Sequence, residues 1–171
     1  NVDEIGVTFG AGTGTVSAVP DLDDMDCNDT GVTAALSFGG GTPYVDNNET
    51  WNGSSWTEVN DLNDSRTQIS GGGGVYTSVI AAAGNSPPRT ANTETFDGTS
   101  WTEVGDLNTA RGRFGATGTS TAGLISSGLN PSSDHLSITE SWDGSSWTEV
   151  GDLSTGRSTG VGVGTSTAML A

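Results

Sequence analysis

Three side chains have the chemistry for specific contacts: Tyr44, Arg89 and His135, the last being the sole histidine of the chain. Each lies in a stretch rich in Gly, Pro, Asn and Ser, namely GGGTPYVDN (39–47), GNSPPRTAN (84–92) and GLNPSSDHL (128–136). Tyr supplies a face for stacking and a hydroxyl, Arg a planar fork of donors, and His a ring nitrogen. With Asn and Asp nearby, this set suits a sugar ring. A second cluster is acidic: Asp21, Asp23, Asp24, Asp26 and Asp29 surround Asn28. Asp24, Asp26 and Asn28 have the alternating spacing of oxygen ligands in a calcium loop. The EF-hand pattern fails, because Asp29 stands where Gly is required and Ala35 where the bidentate Glu belongs. The chain reads as lacking a cofactor, with calcium at a looser site on Asp24, Asp26 and Asn28 as the alternative.

Catalytic constellations are not legible. No Ser-His-Asp pairing suggests itself around His135. One Cys (Cys27) and one His are too few for a zinc site. Tyr44, Tyr76, His135 and Cys27 are scattered over different parts of the chain, unlike a copper-radical centre. Carboxylates are plentiful, but no pair is singled out for acid–base work. The chain therefore reads as a protein without enzymatic activity.

The elements that must position these residues are written in a repeat. TWNGSSWTEVNDLNDSR (50–66) returns as TFDGTSWTEVGDLNTAR (95–111) and as SWDGSSWTEVGDLSTGR (141–157), with Trp56, Trp101 and Trp147 in register. Asn-Gly and Asp-Gly between strand-like runs signal tight hairpins, since both tolerate positive φ. Such a turn places Trp51 opposite Trp56, Phe96 opposite Trp101 and Trp142 opposite Trp147, as cross-strand aromatic pairs. Further strands are expected at 74–78 and 79–83, and at 115–121 and 122–127. Four short strands per unit form the blade of a propeller. Asp61 with Arg66, Asp106 with Arg111, and Asp152 with Arg157 recur in every copy. They therefore read as scaffolding that bonds neighbouring blades through guanidinium forks. Glu58, Glu103 and Glu149 read as solvated edge charges.

A glycine doublet after the second strand, then an aromatic, then Trp is the pattern of Gly39-Gly40, Trp51 and Trp56, and it resembles the kelch repeat. Ala83-Gly84 and Ser127-Gly128 depart from the doublet. AALSFGG followed by NETWNGSSWTEVNDLN also resembles kelch-type repeats in tail-associated proteins of aquatic bacteriophages. Trp142-Asp143 occurs in one copy alone, against Trp-Asn and Phe-Asp elsewhere, so WD40 repeats are a poor match. The turn at 141–147 resembles a shortened sialidase Asp-box, itself a structural turn. The resemblance implies an all-β, kelch-like β-propeller of four-stranded antiparallel blades, with about four blade equivalents. The expected units are 1–22 (degenerate outer strands of a shared or partial blade), 23–66, 67–111 and 112–157 (blades), and 158–171 (inner strands of a shared or next blade). A closed four-blade ring, two chains forming a larger ring, and a piece of a longer array all remain open.

Composition narrows the function class. Twenty-one acidic residues against five Arg give a net charge of −16. That balance disfavours nucleic acid and anionic membranes, which need basic groups. No apolar run reaches membrane-spanning length, and a single Cys excludes an intramolecular disulfide. The opening at Asn1 without Met reads as processing or as a fragment. The expectation is an extracellular or virion-borne recognition module whose loops bind a host surface glycan or protein. The alternative is a structural subunit of a filament, tail or other assembly, associating with itself or with other virion or appendage proteins.

Overall fold

The computed structural model describes residues 15–16, 34–41, 43–72, 75–165 and 167–170. Fourteen strands and no helix occur among them, so no helix is long and apolar enough to cross a membrane. The first sheet contains β1 (Thr15–Val16), β2 (Ala35–Gly40), β3 (Val45–Trp51) and β4 (Trp56–Val59). The second contains β5 (Ser70–Gly72), β6 (Val79–Asn85), β7 (Arg89–Phe96) and β8 (Trp101–Glu103). The third contains β9 (Gly115–Thr119), β10 (Ala122–Ser126), β11 (Thr139–Trp142) and β12 (Trp147–Val150). Each is an antiparallel meander with strands in sequence order, and a two-stranded sheet follows from β13 (Val163–Thr165) and β14 (Ala168–Leu170).

The outer hairpins form where the sequence places them. Trp51 faces Trp56, Phe96 faces Trp101 and Trp142 faces Trp147. The ring centroids of these pairs are 5.5, 5.1 and 5.3 Å apart. Oδ1 of Asn52, Asp97 and Asp143 accepts the backbone N–H groups two and three residues on, which closes each turn. The glycines that follow, Gly53, Gly98 and Gly144, have φ of 94°, 93° and 97°, which a side chain would resist.

Beyond each hairpin the chain runs back along its own third strand. Leu62 N–H donates to Asp46 O and Arg66 N–H to Val45 O, with the same bonds from Leu107 and Arg111 and from Leu153 and Arg157. The glycine-doublet region receives this returning segment. Gly40, Gly84 and Gly128 donate to the carbonyls of Arg66, Arg111 and Arg157. The residues before them, Gly39, Ala83 and Ser127, also have positive φ (61°, 51° and 67°). The backbone conformation is thus kept where the first glycine is lost, and Ala83 and Ser127 carry its strain.

The sheets pack face to face. Leu36 and Phe38 of β2 with Leu62 and Ile69 meet Phe96 and Trp101 of the second sheet. Ile80, Ala82 and Leu107 meet Trp142 and Trp147 of the third. Strand β6 is buried on both faces, which replaces alternation by a run of small apolar residues. The first strands stand side by side in order, β1 by β5, β5 by β9 and β9 by β13.

Two sequence expectations change. The first strand of the second sheet is Ser70–Gly72, not 74–78; Val75 to Ser78 form a turn closed by Ser78 N–H on Val75 O. The glycine run around it has no apolar alternation to mark a strand. Thr15 and Val16, expected among the outer strands of a unit at 1–22, pair instead with Phe38 and Ser37 at the inner edge of the first sheet. The other residues of 1–22 lie outside the described residues.

Candidate functional site

Tyr44 and His135 lie in the β2–β3 and β10–β11 loops and Arg89 opens β7 beside the β6–β7 loop, and hydrogen bonds tie each of these stretches to the next. Asn85 Nδ2 donates to Tyr44 Oη at 3.1 Å, joining the first loop to the second. Arg89 Nη1 donates to Asn130 O at 2.8 Å and approaches Ser133 Oγ at 3.4 Å, joining the second to the third. Within the third loop, Asn130 and Asp134 bond through both backbone and side chains. The result is one continuous row across three repeats.

Exposure along this row is uneven. Tyr44 is 39% exposed, while Pro87, Pro88 and the segment 131–135 are open to solvent. Arg89 is half-buried, with Nη1 engaged and Nε enclosed, so it serves first as a strut. His135 sits at the far end of the row, exposed, with its backbone bridged to Leu129. The structure therefore brings Tyr44 and Arg89 into one surface and leaves His135 on its margin.

The recurring arginines occupy the joints between sheets. Arg66 and Arg111 are 0% exposed. Arg66 Nη2 meets Glu94 Oε1 at 2.7 Å, and Arg111 Nη2 meets Glu140 Oε1 at 2.5 Å. The other carboxylate oxygen accepts from backbone and side chain of Asn63 in the first joint and of Asn108 in the second. Arg111 Nη1 also donates to Ser127 O and Ile138 O, and Arg66 Nη1 to Asn92 O. Burial lowers the pKa of both guanidiniums, and the facing glutamates oppose that shift. Asp61, Asp106 and Asp152 do not take part in these bonds, contrary to the sequence expectation. Their Oδ1 atoms accept N–H groups of Asn48, Thr93 and Thr139 within their own sheets.

Glu94 and Glu140 are the residues that sequence reasoning missed. They recur with Glu49 two positions before each paired aromatic, as regularly as the arginines. That recurrence was the available signal. Glu58, Glu103 and Glu149 are exposed, on the strand opposite them.

Asp24, Asp26 and Asn28, the candidate calcium ligands, lie outside the described residues. Among the described residues no three His, Cys, Asp or Glu side chains converge as a metal centre needs. Trp142 Nε1 donates to Ser120 O and Trp147 Nε1 to Thr93 Oγ1, so these indoles are structural. Compared with known proteins, the chain matches no protein-family model and no curated protein.

Proposed function

We propose that the chain is a non-enzymatic recognition module, extracellular or virion-borne, built as part of a kelch-like β-propeller. Its loop row binds a host surface glycan or protein. The observation that carries this reading is the linkage of the three variable loops by Asn85–Tyr44 and Arg89–Asn130. Loops that differ in sequence are held by repeats that do not, which is how rigid scaffolds present recognition residues. The propeller part is supported by meandering sheets stacked face to face with their first strands side by side. Tyr44 offers an exposed ring for stacking on a sugar, with Asn85 fixing its orientation. A charge of −16 favours neutral or cationic ligands over acidic ones.

Glycan-array binding with the intact chain and with Tyr44→Ala tests this reading, with and without calcium. Retained binding by Tyr44→Ala, or no binding to any array glycan or host surface protein, overturns it. The second reading, a structural subunit of a filament, tail or shell, is favoured by the exposure of Glu49 and Trp56 on the first sheet and of Arg157 after the third.

A further inference from the structure

The two internal joints are built alike, and the two end faces each carry one half of the same joint. At each internal joint the downstream sheet presents a Glu and an aromatic pair, while the upstream sheet presents an Arg and two apolar side chains. Glu94, Phe96 and Trp101 thus face Arg66, Leu36 and Leu62; Glu140, Trp142 and Trp147 face Arg111, Ile80 and Leu107.

The first sheet presents the downstream half, and among the described residues no matching upstream half stands before it. Glu49, Trp51 and Trp56 are the repeat equivalents, and cross-strand pairing puts them on one face of β3 and β4. Glu49 is exposed, and Trp56 is 43% exposed where Trp101 and Trp147 are 7% and 6%. The third sheet presents the upstream half. Arg157 is exposed, and Leu124 and Leu153, the counterparts of Ile80 and Leu107, are only half-buried. Neither Glu49 nor Arg157 takes part in the ion pairs of the described residues.

Arg157 is also anchored like its buried counterpart. Arg111 Nε donates to Thr109 O at 3.2 Å, and Arg157 Nε donates to Thr155 O at 3.4 Å. Arg157 thus shares with Arg111 the local bond that holds Nε to the backbone two residues before it.

We propose that the outer face of the third sheet is a docking surface for a second copy of this chain, which joins head to tail with its Glu49 on Arg157 and its Trp56 over Leu124 and Leu153. In the docked pair Arg157 Nη2 holds Glu49 Oε1, and Ser154 N–H donates to Oε2 as Asn63 and Asn108 do. Ser154 lacks the side-chain amide that supplies a further bond at the internal joints. The contact is heterologous, using two different surfaces of each copy. The sheet β13–β14 lies by β9, at the inner end of this seat, and must move aside for β1 and β2 of the incoming copy. This interface uses sheet faces and does not depend on ligand binding by the loop row.

Sedimentation velocity over a concentration series, with the chain 1–171, tests the proposal. Wild type is expected to self-associate reversibly. Glu49→Arg and Arg157→Glu should each weaken the apparent Kd by about 30-fold or more, as loss of a charge pair at an interface does. The double exchange, Glu49→Arg with Arg157→Glu, should restore association, because the reversed charges face each other again. Both positions are exposed, so folding is checked simply by near-ultraviolet circular dichroism. Ending the chain at Gly160 should tighten association by vacating the seat. A monomer at all concentrations in both wild type and the shortened chain overturns the proposal. So does association that ignores the single changes, or a double exchange that fails to restore it.

Discussion

Arg111→Ala removes a guanidinium that makes four hydrogen bonds in a joint closed to solvent. Glu140 would stay buried with only Asn108 and Thr109 as donors, the Ser127 carbonyl would lose its guanidinium donor, and the Ile138 carbonyl would keep Ser127 N–H alone. Removing one partner of a buried pair costs about 3–5 kcal/mol, because the other charge is stranded in a poor solvent. We therefore expect a loss of about 4 kcal/mol, a large fraction of an ordinary domain's stability. Arg157 holds the same position in its repeat but is exposed, and Arg157→Ala should change the stability of the monomer by no more than about 0.5 kcal/mol. Urea unfolding of dilute protein, followed by tryptophan fluorescence, measures both. A separate unfolding step of the third sheet in Arg111→Ala would fit, since repeat arrays lose cooperativity when a joint weakens. Replacing the pair together, Arg111→Met with Glu140→Leu, should be far milder than Arg111→Ala. A cost below about 1 kcal/mol for Arg111→Ala, or equal costs at Arg111 and Arg157, would refute the account of the joint.

Gly39→Ala should destabilise by about 2–3 kcal/mol in the same assay, from left-handed strain plus overpacking. Its Cβ would lie 2.6 Å from Ile69 Cδ1 and 2.9 Å from Arg66 O. Ala83→Gly should be within about 1 kcal/mol of neutral despite full burial, because relief of strain offsets the lost methyl. The Asp143 carboxyl, held to about 2 by Ser145 and Ser146, should titrate there by carboxyl-carbon NMR, and Ser145→Ala should raise it. Its folded pKa lies below the unfolded one of about 3.9, so its stabilising contribution is present above that pH and is lost as pH falls through about 2. Acrylamide quenching of variants retaining one tryptophan should be strong for Trp56 and weak for Trp101 and Trp147, and equal quenching would contradict the open first sheet.

The hairpins were legible because everything that makes them is local: an Asn or Asp that bonds the turn, a glycine at positive φ, and an aromatic on either side. The joints were half legible. Recurrence identified Arg66 and Arg111 as structural, yet their partners lie 28 and 29 residues further on. A glutamate on an outer strand reads as solvated until a second sheet is stacked over it. The nearer candidates, Asp61 and Asp106, drew attention by proximity in sequence, but they serve their own sheets. Ser70–Gly72 was illegible for a different reason. An inner strand of this kind is recognised by its neighbours, since serine and glycine supply no alternation.

The charge balance makes the joints selective as well as strong. Five arginines serve a chain of net charge −16, and two of them are enclosed in joints while a third braces the loop row. Acidic surfaces of that kind repel one another, so indiscriminate stacking of exposed sheet faces is opposed at long range. A guanidinium at the joint position is then a decisive local feature, because a buried glutamate without one strands its charge. The same residue that locks successive sheets within the chain thus sets which face a further sheet can cover. Register and order follow from a single recurring pair, while the loops above it remain free to differ.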